Sequence, residues 1–312
     1  MNRSGTNKTL LFLIITVTCF MVAASLPVVM GDTIDGEASV SNTSCEFIDK
    51  TVDTNTVDPE SYFWIKTQVR DSDTLSDIEN VVVKIFDNQT AVGAQDTKRS
   101  HYTFWFDAND NSWNSNLNNT LGNPFIDAAA SEYPNDATVT EDNYNFKILL
   151  NGTANPNQDW NVYVEVNDEA SSENNGTHTN ALAVNTYVNY DVKADLIEWT
   201  NLQPDTNDNP SDSNPVIIEN IETNVNYDVQ TKLSGDWLNT NGDTITVTET
   251  SFDSTDSSGY HGQVSSSIFK DVYTYESYGE DLTEGINYFL DIPDGTSSGT
   301  FTNTFEIEVV AH

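Results

Sequence analysis

Two stretches set oxygen-bearing side chains at alternate positions: Asp107, Asn109 and Asn111, and then Asp205, Asn207 and Asn209, each within an Asp-x-Asn-Asp-Asn run. Oxygens so spaced suit a hard cation such as Ca²⁺, which takes about six to eight of them. The first run departs from an EF-hand loop, with Ser112 where the sharp turn uses Gly and Asn118 where a bidentate Glu would close the shell. Asn-rich turns account for both runs as well, so calcium is the one cofactor these residues suggest. Gly295-Thr296-Ser297-Ser298-Gly299 has the form of a nucleophile elbow. That motif needs a following helix and an acid and a His downstream, and only His312 lies beyond it. His101, His178, His261 and His312 share no metal-ligand spacing, and Cys19 and Cys45 are too few for a cysteine-rich zinc site. No catalytic residue is identified, and the chain is expected not to be an enzyme.

Two further sets concern sugars. Beyond residue 31, acceptor motifs for N-glycosylation occur at Asn42, Asn88, Asn118, Asn151 and Asn175, a number that chance alone would produce in a chain so rich in Asn, Ser and Thr. Tyr62 and Trp64 share a register that turns both outward if Phe63 and Ile65 face a core. Outward aromatics on a flat sheet serve to stack on a glycan or to meet another subunit. Cover by a loop or an N-terminal arm is the plainer account of the pair.

The elements that would position these residues follow from the rest of the chain. Arg3 and Lys8 precede an apolar run from Leu10 to Met30, with small residues ahead of Gly31 and Asp32, which describes a secretory signal over residues 1–31. Uncleaved, the same run is long enough to attach the protein to a membrane. The expected location is therefore secreted, extracellular or at the cell surface. The balance of 12 Lys and Arg against 49 Asp and Glu gives a net charge of −37, and loss of Arg3 and Lys8 makes it −39. Such a charge repels itself in dilute buffer and is tolerated near ~1 M salt, where the Debye length falls to roughly 3 Å. It fits a saline or hypersaline habitat, or simply a soluble acidic surface, and makes nucleic acid an unsuitable partner. Cys45 alone would remain after cleavage, so no internal disulfide is available.

Period-two alternation marks the strands. The firmest is Asn224 to Leu233, in which Val225, Tyr227, Val229, Thr231 and Leu233 alternate with polar residues, and Ile286 to Ile292 and Phe301 to Val309 repeat the pattern near the C-terminus. These three are expected to cover one another's apolar faces. In the first half, strands are expected around Ser39 to Ile48 and at Tyr62 to Arg70, Val81 to Phe86, Tyr102 to Phe106, Tyr144 to Leu150, Trp160 to Val166 and Ala181 to Val188, with a short helix at Pro124 to Glu132. In the second half they fall at Val192 to Trp199, Val216 to Ile221, Val225 to Leu233, Thr244 to Thr248, Ile268 to Tyr275, Ile286 to Ile292 and Thr300 to Val310. A boundary near Tyr190 then gives an all-β chain: a signal, one β-sandwich over 32–189 and a second over 190–312, both of immunoglobulin type.

Leu196-Ile197-Glu198-Trp199, the run Leu202 to Pro210, and Ile218 to Val225 resemble the opening of immunoglobulin-like domains in secreted archaeal surface proteins. Phe289 to Thr304 is similar to their closing hairpin, and Tyr62 to Asp87 resembles such a module in the first half. The chain departs from that pattern at two glycines, with Asp205 in one place and Glu222-Thr223 near the other. The resemblance implies fold and location rather than activity. The expected function is a non-enzymatic structural or adhesive part of an archaeal cell envelope or filament, partnered by other surface proteins or by itself. A glycan- or calcium-binding extracellular module is the alternative.

Overall fold

Alternation of β-branched and aromatic residues with polar ones builds a sheet that is wet on one side and greasy on the other, and strands of that kind make up this molecule. A computed structural model describes residues 34–38, 47–49, 55–71, 74–117, 124–156, 159–169, 173–194, 196–256, 259 and 261–312. Among them there is no α-helix, only the single 3₁₀ turns Leu75–Asp77 and Val247–Glu249. They fall into two units divided between Tyr187 and Val188, each with its own core.

The N-terminal unit holds β1 (Ile34–Ala38), β2 (Phe47–Asp49), β3 (Asn55–Val57), β4 (Phe63–Arg70) and β5 (Ile78–Asp87). It continues with β6 (His101–Asp107), β7 (Ser112–Ser115), β8 (Glu141–Ile148), β9 (Trp160–Asp168) and β10 (Glu173–Val184). One sheet has the order β2-β1-β4-β8 and the other β3-β10-β9-β5-β6-β7. Among the described strands of this unit, only β1 with β4 and β3 with β10 run parallel. Val81, Val83, Ile85, Phe104, Phe106, Val162, Val164 and Val166 bury the inner face of the larger sheet, against Ile65, Val69, Phe146 and Ile148 of the smaller. The two meet through rings: Phe106 lies 5.5 Å from Tyr144, and Trp113 lies edge-on to Phe146 at 4.8 Å. Each such side chain, fully buried, contributes roughly 1.5–3 kcal/mol.

Pro124 to Glu132 does not form the expected helix. Asp127 Oδ1 accepts the Ala130 N–H at 3.2 Å and its carbonyl accepts that of Ser131 at 2.8 Å, which makes one turn. The flanks then pair with β8, through Ile126 opposite Ile148 and Glu132 opposite Asn145. Nine residues sustain too few helical bonds to repay nucleation, and pairing with β8 satisfies the backbone instead. The expected strand around Ser39 to Ile48 lies largely outside the described residues.

The C-terminal unit begins with β11 (Val188–Val192), β12 (Thr206–Pro210), β13 (Val216–Thr223), β14 (Tyr227–Leu233), β15 (Trp237–Asn239) and β16 (Thr244–Ile245). It ends with β17 (Thr250–Ser254), β18 (His261–Gln263), β19 (Lys270–Glu276), β20 (Gly279–Ile292), β21 (Phe301–Thr302) and β22 (Phe305–Ala311). Its larger sheet has the order β11-β13-β20-β17-β18. The 14-residue β20 is the spine: β13 and then β12 line one edge in series, and β17 lines the other. Facing it are β19-β14-β22, and β16-β15-β21 forms a small third sheet.

The three most strongly alternating stretches thus take different places. β14 and β22 are hydrogen-bonded neighbours, with Thr231 opposite Ile307, while β20 belongs to the other sheet. Three hydroxyl bonds tie the sheets together. The Thr231 and Tyr288 hydroxyls meet at 2.7 Å, Tyr273 donates to the Gly285 carbonyl at 2.7 Å, and Tyr227 donates to Glu284 at 2.9 Å. A cap of Trp199, Trp237 and Phe305 seals the core, with the two indoles edge-on at 5.6 Å. The expected strand Val192 to Trp199 stops at Val192; Ile197 and Trp199 are buried as single side chains on an irregular segment.

Candidate functional surfaces

The alternation that sends Val81, Val83 and Val162 inward sends Val82, Lys84, Trp105, Tyr163, Glu165 and Asn167 to the outer face of the six-stranded sheet. A tied group occupies its middle. The Tyr163 hydroxyl donates to Glu165 Oε2 at 3.0 Å, and the Lys84 ammonium lies 3.7 Å from that oxygen and 5.0 Å over the Tyr163 ring. Asn167 Nδ2 donates to Asn80 at 2.8 Å and to the other Glu165 oxygen at 3.1 Å. Burial, and then the Glu165 charge, push the Tyr163 hydroxyl well above the usual phenol range. It stays a hydrogen-bond donor. The half-buried Trp105 lies on the same face, opposite Val82. Sequence reading missed this face because it needs the pairing of β6, β5 and β9, not the pattern of any one strand.

Tyr62 and Trp64 lie on the other sheet. Tyr62 is 45% exposed, its hydroxyl donates to the Pro124 carbonyl at 3.0 Å, and the Lys147 ammonium sits 5.5 Å from its ring. Trp64 is half-buried opposite Lys147 on β8. Ile65 is fully buried and Phe63 packs at the core margin.

The two Asp-Asn runs adopt different structures. Asp107 ends β6 and its Oδ1 accepts the Asn109 N–H at 3.0 Å; Asn111, in the left-handed region at φ 54°, completes a hairpin into β7. Asp205 and Asn207 bracket the start of β12, and Asn209 is spent on the sheet. Its Nδ2 donates to the Leu290 carbonyl at 2.7 Å and its own carbonyl accepts the Trp199 indole N–H at 2.8 Å. Among the described residues, no group of three or more His, Cys, Asp or Glu side chains is placed to hold a metal ion.

Ser297, the centre of the Gly-x-Ser-x-Gly run, donates to Asp243 Oδ2 at 2.6 Å in the turn after β20, where Gly295 supplies φ 77°. The short strand β21 follows, not a helix. His101 is buried, with Nδ1 2.6 Å from Asp96 Oδ1 and Nε2 3.1 Å from the Val92 carbonyl. Asp96 also accepts the Thr103 N–H and hydroxyl, each at 2.8 Å. Both ring nitrogens are occupied, so this His–Asp pair fastens the β5–β6 loop and offers no nitrogen to a substrate. His312 binds Asp228 at 2.8 Å.

The half-buried Glu284 carboxyl is held well above the ordinary carboxylate range. Burial pushes it up to about 7 against the Tyr227 bond, and the Glu276 and Asp256 charges add to the rise. It ties the edge of the sandwich and does not line an open hollow of about 730 Å³ beside β18 that includes Phe252, His261, Gln263 and Lys270. There the Ser265 and Ser267 hydroxyls are 3.2 Å apart, and Asp271 accepts from Gln230 at 2.8 Å.

Of the acceptor motifs, Asn42 and Asn118 lie outside the described residues. Asn88 and Asn175 are exposed, whereas Asn151 is buried at 6%.

No family model matches the chain, and no curated protein does. Among solved structures it is similar to dimeric latent PorU from Porphyromonas gingivalis, at 11% identity and a TM-score of 0.13, over 83% of this chain and 32% of that one. The chain thus spans about a third of that protein, and a likeness at this level carries no argument about fold or activity.

Proposed function

We propose that this chain is an exported, non-enzymatic surface protein, built of two immunoglobulin-like sandwiches and acting as a structural or adhesive part of an archaeal envelope or filament. One observation carries the reading: the groups that could do chemistry are consumed in holding strands and turns. Ser297, His101 and Asn209 are bonded into turns, a loop and a sheet edge, as described above. Support for the immunoglobulin type comes from the C-terminal unit. With β11, β13, β14, β17, β20 and β22 taken as strands A to F, the run β11-β13-β20-β17 has the order A-B-E-D and faces C beside F, while β19 flanks C on its other side. The net charge of −37 favours salt-screened contacts with other surface proteins or with copies of the chain over contacts with nucleic acid.

Fractionation of the native cells, with mapping of the protein's N-terminus, tests this. A chain starting near Gly31 or Asp32 in the envelope or medium supports it; an unprocessed chain confined to the cytoplasm refutes it. A second reading, a glycan-binding module, is favoured by the outer face bearing Trp105, Tyr163 and Lys84, where an aromatic surface adjoins fixed polar groups. Binding on a glycan array that Trp105→Ala abolishes would establish it, and an array without signal would remove it.

A further inference from the structure

We infer that the open hollow beside β18 is a binding site for a sugar that carries a carboxylate, with Lys270 as the group that holds the charge. The site belongs to the C-terminal unit and is independent of both readings above.

Cations are scarce in this half of the chain. Beyond Tyr187 the sequence has Lys193, Lys232 and Lys270 and no Arg. Lys193 is bonded to Glu219, and the Lys232 ammonium lies 2.9 Å from Glu306. Lys270 alone has no carboxylate partner among the described residues, and it lines the hollow. The register of β19 places it there. Lys270 lies opposite Thr231, whose side chain faces the core, whereas Asp271 lies opposite Gln230 and is bonded to it at 2.8 Å. Successive side chains leave a strand on opposite faces. Asp271, the one acidic residue among the described lining, is therefore tied to the outer side of the sheet, and the Lys270 ammonium starts from the inner side.

In molar salt a lone cation attracts little beyond contact, since the Debye length is about 3 Å. A bound anion must then be held by neutral groups as well, and the lining supplies them. The Gln263 amide and the Ser266 hydroxyl have no partner among the described residues. Ser265 Oγ accepts the N–H groups of Ser267 at 3.2 Å and Ile268 at 3.4 Å, which fixes the turn that carries Ser266. The floor is apolar, because Gly262 has no side chain over Phe252; a Cβ there would lie 3.5 Å from the ring.

One cation, hydroxyl and amide walls and an apolar floor match a sugar ring bearing one acid group. The Lys270 ammonium donates to the carboxylate, Gln263 and Ser266 bond the ring hydroxyls, and the C–H face of the ring lies over Phe252. A volume of about 730 Å³ is more than a carboxylate alone fills, and it falls within the range of about 300–1,000 Å³ usual for ligand sites.

Calorimetric titration of the whole chain in molar NaCl with glucuronate, glucose and acetate tests the site. Glucuronate is expected to bind saturably in the millimolar range, and glucose and acetate at least about tenfold more weakly. Lys270→Gln is expected to weaken glucuronate binding about tenfold or more at an unchanged melting temperature, and Lys270→Arg, which keeps the charge, to retain it. Absence of saturable glucuronate binding overturns the inference, as does binding that Lys270→Gln leaves unchanged. Acetate binding as tight as that of glucuronate would reduce the hollow to an anion contact and overturn the sugar assignment. Loss of glucuronate binding in Trp105→Ala would move the sugar to the outer face of the N-terminal unit and overturn it equally.

Discussion

Removing the hydroxyl of Tyr288 tests whether the two C-terminal sheets meet as described. Tyr288 on β20 and Thr231 on β14 are both fully buried, and their hydroxyls meet at 2.7 Å across the sandwich. Tyr288→Phe keeps the ring against Phe305 at 4.6 Å but strands the Thr231 oxygen in an apolar core. The cost is that of an unsatisfied buried group, about 1–3 kcal/mol. Thr231→Val strands the Tyr288 hydroxyl at a similar cost. The double variant leaves neither group unpaired, so it is expected to lose less than the sum, with a coupling of about 1 kcal/mol or more. Denaturant unfolding in molar salt, where the net charge is screened, supplies the three midpoints. Strict additivity would mean that the two side chains do not touch, and the facing of β20 against β14 would have to be given up.

Further expectations follow from single sites. Burial raises the Glu284 carboxyl to about 7, so the folded state holds its proton more tightly than the unfolded state does and stability falls as pH rises from about 4.5 to about 7. Because the group is only half-buried, solvent screening reduces the effect to about 1 kcal/mol; Glu284→Gln should flatten that slope in melts at pH 5 and pH 8, and an unchanged slope would assign it elsewhere. Phe305→Ala opens a cavity beneath Trp199 and Trp237 and should cost about 3–5 kcal/mol by denaturant unfolding. Asn209→Ala should cost about 1 kcal/mol equally with and without calcium, since its amide holds β12 to β20; a loss seen only with calcium in thermal melts would make the run a cation site. With a net charge of −37, the melting temperature should rise between ~0.1 and ~1 M salt, as the Debye length falls from about 10 to about 3 Å, and should rise less with a neutral osmolyte matched to the preferential exclusion of that salt; an equal rise would remove screening as the cause.

Sequence and structure agree where one strand carries its own signal. Val81 to Phe86 and Trp160 to Val166 alternate cleanly, and both are central strands with buried inner residues. Short polar strands were illegible. Thr206–Pro210 falls in an Asp-Asn run and Thr250–Ser254 between two expected strands, yet both lie along β20. Their strand geometry comes from the ladder offered by a neighbour some thirty to ninety residues away, not from their own propensity. The same holds for Pro124 to Glu132, whose alanines favour a helix in isolation and whose backbone is claimed by β8.

The candidate sites divide likewise. An acceptor motif is three letters long, but whether an enzyme can reach it depends on what packs over it, and only the tertiary structure separates the buried Asn151 from the exposed Asn175. The sequence by itself determined the β character, because a period of two assigns each side chain to a face of a sheet, and it determined the charge. It left open which strands pair and which sheets face each other, since alternation names a face and not a partner. The pairing of β14 with β22 and the facing of β20 are long-range choices, decided by which arrangement buries Tyr288, Thr231 and Phe305 together.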